Sequence, residues 1–213
     1  MAAAARGERM SDVSESVRDA MIEAAWLLIA ERGLEGMSTR EVLARTGAPR
    51  GSVYHHFPRG RTELIELAID RSRHWMQDQI ASIEAETPAG VVTGYIGIWR
   101  RVVEGTDFHA GCAATGAVIG GYDPGVRSRA EAALSDASDA LAALFQQAGL
   151  APAEAAQRAT LLVCAAEGAV ILARARRSVE PLTLIAEQLG GSRSEPPGEG
   201  ASARPEERAS QSG

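Results

Sequence analysis

Lysine is absent from this 213-residue chain, so apart from four histidines all of its basic character rests on arginine. We read that as the coding bias of a GC-rich genome and not as chemistry. Cysteine is nearly absent too. Cys112 and Cys164 alone make neither a disulfide framework nor a zinc cage, and a reducing cytoplasm is the default. No apolar run reaches the ~18 residues that span a membrane. The opening MAAAARGERMSD lacks the apolar segment of a signal peptide, so no membrane partner is expected. Aromatics are few, at three Trp, three Tyr and three Phe, while alanine is abundant. That balance favours close-packed helices over a β-sandwich. There is no β-alternation and no internal repeat.

What is present is an ordinary soluble composition, 45% hydrophobic and 23% charged, with a net charge of -6 that is unevenly spread. Residues 33–62 carry Arg40, Arg45, Arg50, Arg59 and Arg61 against only Glu35 and Glu41, whereas the chain after them is acidic. A small basic island on an acidic body is the footprint expected where one part of a protein meets phosphates. Residues 1–12 and the Gly/Ser/Pro/Glu-rich stretch 190–213 are expected to be disordered.

Between these ends the pattern is helical throughout. Val17, Met21, Ala24, Ala25, Leu28 and Ile29 line one face of a first helix from about Ser14 to Arg32, with Gly33 as its stop. Ser38 and Glu41 stand at capping-box spacing, opening a two-turn helix that Gly47 ends. Pro49 suits the first position of a third helix reaching His56. A long fourth helix follows and ends near Pro88. Further helices are expected over about 89–103, from about Cys112, and over 124–148, 152–177 and 181–189.

Two short helices around a glycine turn, after a longer supporting helix, make a helix-turn-helix. Four-residue spacing predicts that Pro49, Val53 and Phe57 pack inward and leaves Arg50, Gly51, Ser52, Tyr54 and His55 outside. About eight residues at ~1.5 Å each give a helix roughly 12 Å long, suited to a major groove ~12 Å wide. Arg50 has the fork for a guanine edge or a phosphate. Gly51 permits close approach, and Tyr54 and His55 reach toward the sugar-phosphate backbone. Thr39 and Arg40 at the start of the second helix, and Arg61 at the start of the fourth, suit phosphates. Adjacent His55 and His56 point ~100° apart on a helix and do not suit one shared ion.

With STREVLARTGAPRGSVYHHF followed by Arg61 and TELI, residues 14–65 resemble the DNA-binding domain of TetR-family transcriptional regulators. Arg61 stands where that family usually has lysine. HHFPRGRTELI and the later HAGCAATGAVIGG resemble the LmrA/YxaF-like subgroup, with Ala113 where that subgroup commonly has proline. The resemblance implies an all-α homodimer that represses a nearby operon until a small molecule binds its C-terminal part. On this reading, residues 13–60 form the helix-turn-helix domain that binds double-stranded operator DNA. Residues 61–189 form a helical effector-binding and dimerisation domain, and no cofactor or metal is required.

Trp75, Tyr95, Trp99, Phe108 and Cys112 are candidates to line an effector cavity between bundle helices. The Ala/Gly-rich LLVCAAEGAVILARA is too apolar to leave in water. Leu161, Cys164, Ala165, Gly168, Ala169 and Leu172 within it are the expected dimer face, together with LTLIAEQL. Two rivals remain: a thiol redox switch at Cys112, and an enzyme using His109 and Cys112. The second lacks any recognisable orienting group or oxyanion site.

Overall fold

The computed structural model describes residues 2–120 and 123–191, with side chains described from Ser16 onward. The tail expected to be disordered therefore lies, beyond Gly191, outside the described residues. Among the described residues nine helices follow one another: α1 (Ala2–Gly36), α2 (Thr39–Thr46), α3 (Ser52–His56), α4 (Arg61–Ala81), α5 (Pro88–Gly105), α6 (Ala113–Gly120), α7 (Pro124–Gln147), α8 (Pro152–Arg176) and α9 (Glu180–Gly190). No strand occurs among the described residues.

Boundaries follow local chemistry. α1 begins at Ala2, upstream of the start expected near Ser14, and runs through residues 2–12, where disorder is expected from the sequence; its regular backbone breaks at Gly33, where φ is +70°. The Ser38 hydroxyl accepts the Glu41 amide at 3.2 Å, and Gly47 ends α2 in the left-handed region with φ +68°. Thr87 and Asp123 cap α5 and α7 through their side-chain oxygens, each ahead of a proline in the first turn. The fourth helix ends at Ala81, not near Pro88, because residues 83–87 form an irregular link.

Two apolar cores meet along α4. The first joins α1–α3 and the start of α4 to Ala110, Ala113, Ala114 and Ala117 around α6 and to Val126 and Ala130 of α7. The second joins the end of α4 to α5, the rest of α7, α8 and α9 around Trp99, Leu141, Phe145 and Leu162. The N-terminal helices thus share a core with α6 and α7. Gly111 marks a close approach: its amide donates to the Ala30 carbonyl at 2.9 Å, and a Cβ there would stand 2.9 Å from Arg174 Nη1. Arg174 of α8 in turn donates to the carbonyls of Glu31 at 2.7 Å and His109 at 2.8 Å.

Candidate nucleic-acid interface and effector cavity

The regular part of the third helix is shorter than the spacing predicts. α3 has five residues, preceded by a turn in which the Ser52 amide donates to the Pro49 carbonyl at 2.9 Å. Val53 and Phe57 are buried as expected, but Pro49 is exposed and belongs to the turn, so the inward stripe is Val53 and Phe57 alone. Phe57 takes the Arg18 guanidinium over its ring at 5.5 Å, which fixes α3 to α1.

Arg50, Gly51, Tyr54 and His55 are exposed, and Ser52 and Thr39 are half-buried. Tyr54 is 77% exposed, an unusual state for a tyrosine. A Cβ on Gly51 would meet nothing within 4 Å, and its φ of -78° suits any residue. No demand within the chain selects glycine there. His56 is half-buried, and burial, then the neighbouring His55, holds its imidazole below the usual value.

The basic island is partly spent internally. Arg45 is paired with Glu31 and Arg59 with Glu66. Arg61 donates through Nε to the Met37 carbonyl at 2.9 Å and through Nη2 to the Leu34 carbonyl. The residue expected as a phosphate clamp is therefore a brace between the α1–α2 turn and α4. Arg40 and Arg50 have no internal ion-pair partner among the described residues.

Behind this head lies a cavity of about 350 Å³. Trp75 and Met76 of α4, Tyr95, Ile98 and Trp99 of α5, Cys112, and Leu134 of α7 line it. Four of the five residues expected there are present. Phe108 is not: its backbone lies in the left-handed region at φ +63°, and its ring sits 5.8 Å from the Arg177 guanidinium instead. The sequence reading missed Trp26 and Glu167, which also line the cavity. Trp26 stands off the inward stripe of α1, and its ring centroid is 5.6 Å from that of Trp75. Glu167 lies in the alanine-rich run of α8, where the apolar pattern draws attention to the outer face.

Two groups at the cavity wall are electrostatically unusual. Glu167 accepts the Thr115 hydroxyl at 2.8 Å, yet burial raises its pKa. Burial, and then the Glu167 charge, push the Cys112 thiol far up, which disfavours the thiolate a redox switch needs. His109 is exposed and beside Asp107, whereas Cys112 is half-buried on the cavity wall. Among the described residues no group of three or more His, Cys, Asp or Glu is placed to hold a metal.

On the far side, α8 and α9 expose an apolar stripe. Leu161, Ile171, Leu172 and Leu184 are 54%, 52%, 45% and 53% exposed, and Cys164 and Gly168 are exposed between them. Of the expected face, Ala165 is half-buried, while Ala169 is buried and points into the subunit. Ile171 and Leu184 take its place on the outer surface. Over an 18-residue window α8 reaches a mean hydropathy of 1.4, long and apolar enough to cross a membrane although no single run reaches that length; 39% of the window is buried.

A helix-turn-helix head on a helical bundle with an aromatic-lined cavity is an arrangement in which a candidate DNA-binding part and a candidate ligand-binding part share one chain. Residues 21–68 match the profile of bacterial regulatory proteins of the TetR family, and residues 88–188 match that of the LmrA/YxaF-like transcriptional regulator C-terminal domain. An uncharacterized HTH-type transcriptional regulator of Mycobacterium tuberculosis is 37% identical over 81% of this chain and 91% of its own. YxaF of Bacillus subtilis, also described as an uncharacterized HTH-type regulator, is 26% identical over 81% of this chain and 92% of its own. Among solved structures, a TetR-family regulator from Agrobacterium tumefaciens superposes with a TM-score of 0.73 at 22% identity, covering 83% of this chain and 97% of that one. One from Chloroflexus aurantiacus gives 0.71 at 21%, covering 84% and 94%. The chain belongs to the TetR family, with a C-terminal domain of the LmrA/YxaF-like kind. It is a ligand-responsive, DNA-binding transcriptional regulator.

Proposed function

We propose that this regulator is a homodimeric repressor, released from a pseudo-palindromic operator when a small molecule enters the tryptophan-lined cavity. The observation that carries the reading is the position of α4. Its first residue, Arg61, braces the turn beneath the helix-turn-helix, and its Trp75 and Met76 form a cavity wall. A ligand that favours one placement of α4 changes the placement of α3. Only such differential affinity moves the equilibrium.

On this reading Arg50, Tyr54 and His55 meet DNA, with Gly51 and Ser52 allowing close approach and Thr39 and Arg40 flanking on phosphates. Arg61 serves chiefly by positioning α4. Leu161, Cys164, Gly168 and Leu172, joined by Ile171 and Leu184, form the two-fold interface. One short reading helix spans few base pairs, so two half-sites a helical turn or a multiple apart are needed. Footprinting of the purified protein on its own upstream DNA tests this directly. A protected site with two-fold symmetry is the expected result, and protection without symmetry rejects the dimeric operator.

A further inference from the structure

All three tryptophans of a chain poor in aromatics, Trp26, Trp75 and Trp99, line one cavity with Tyr95. Trp99 is only 3% exposed, and its buried Nε1 faces the Tyr95 hydroxyl without forming a well-aligned hydrogen bond among the described residues. A buried donor so poorly paired is costly, so an occupant that supplies a better-placed acceptor atom gains more than contact area.

Glu167 is the second anomaly. Glu31, Glu66, Asp70 and Asp136 are also buried or half-buried, and each is paired with an arginine: Arg45, Arg59, Arg129 and Arg73 respectively. Glu167 has no basic side chain within ion-pair distance among the described residues and is met by the Thr115 hydroxyl and the Cys112 thiol. Two arginines reach the same cavity, but Arg73 is committed to Asp136, and Arg101 is exposed. A carboxylate taken out of water without a counter-ion is expensive. Aromatic faces beside it carry negative charge density that attracts cations.

From the unpaired Glu167 and the tryptophan walls, we infer that the effector is a lipophilic organic cation, whose ammonium sits beside Glu167 and whose apolar body lies between the rings. The volume suits one or two fused rings, near the small end of ligand pockets. An oxygen acceptor on that body would give Trp99 Nε1 a better-aligned partner. An anion of the same shape is excluded by a second buried negative charge. This inference rests on the reading of the cavity as the effector site.

The test titrates the full-length protein calorimetrically at pH 7.5 with three probes of one shape: 1-naphthylmethylammonium, 1-naphthylmethanol and 1-naphthoate. The amine should bind at least tenfold tighter than the alcohol, with naphthoate weakest. Glu167→Gln should bring the amine-to-alcohol ratio close to one. Equal binding of amine and alcohol by the unaltered protein, a preference for naphthoate, binding of none of the three, or an undiminished preference in the variant overturns the inference. A gel shift with the footprinted operator separates the two readings. If the amine binds as expected but leaves the operator bound at saturation, the cation site stands and the repressor-release reading fails. If the alcohol or naphthoate is preferred and releases the operator, the reverse holds.

Discussion

Glu66 on α4 holds the guanidinium of Arg59 in a two-pronged contact, at 2.7 Å to Oε2 and 3.4 Å to Oε1. The same carboxylate, only 9% exposed, stands 3.7 Å from Arg129 of α7, which also pairs with Asp70. Arg59 lies three residues beyond the end of α3, so one buried carboxylate joins the loop behind α3 to the bundle.

Glu66→Gln should therefore loosen that junction. Charge-assisted hydrogen bonds contribute about 1.5–3 kcal/mol, and the arginines left behind reach solvent, so a loss of about 1–2 kcal/mol is expected. Urea unfolding at unchanged slope measures it. Operator affinity should fall alongside, although Glu66 is buried at the junction of α4 and α7.

Gly51 separates function from stability. Because its φ suits any residue and its Cβ position is open, Gly51→Ala should leave stability unchanged or raise it by about 0.4–1 kcal/mol. Operator affinity should drop, since the methyl group intrudes on a close backbone approach. Arg50→Ala should cost about 1–3 kcal/mol of operator binding with no change in melting temperature. Paired binding and thermal measurements on both variants decide this.

The outer stripe of α8 predicts assembly. Placing Glu at both Ile171 and Leu172 should convert the dimer to a folded monomer, because each side chain is about half exposed in the single subunit. Burial of such a side chain is worth about 1.5–3 kcal/mol, and a two-fold axis counts every loss twice. Sedimentation velocity gives the mass and far-ultraviolet dichroism the retained helix.

Glu167 sets a pH dependence. Burial raises its pKa above the usual carboxylate range, so the folded state holds the proton more tightly than the unfolded chain. The associated stability is fully present in acid, below the unfolded value, and is lost as pH rises through the folded one. The neighbouring Cys112 thiol stays neutral over this interval and adds nothing. Glu167→Gln, which has no such loss, should therefore melt higher than the unaltered protein at pH 8, by a margin that shrinks toward pH 5. Melting curves across that range check the sign.

Features encoded in a few adjacent residues were legible in the sequence. Ser38 with Glu41, Gly47, and buried Val53 and Phe57 needed only helical geometry and a turn residue. Pairing across the fold was not. Arg61 read as a phosphate ligand, and Arg45 and Arg59 as part of a free basic island, because their partners, two carbonyls of the α1–α2 region, Glu31 and Glu66, lie up to 27 residues away. Phe108 looked like a cavity residue from its aromaticity, but left-handed backbone at Asp107 and Phe108 turns it aside. Trp26 and Glu167 became visible only once α1 and α8 were brought to one wall. Ala169 was misplaced by a simpler error, since in an alanine-rich helix both faces look alike.

The exposed stripe of α8 also bears on how occupancy of the operator follows cellular abundance. If the binding species is a pair and the pair forms by mass action, then below its dissociation constant the amount of active regulator rises with the square of total chain concentration. Halving synthesis would then quarter the occupying species. A hydrophobic seam on one helix would thus give the circuit a threshold in gene expression, independent of any ligand.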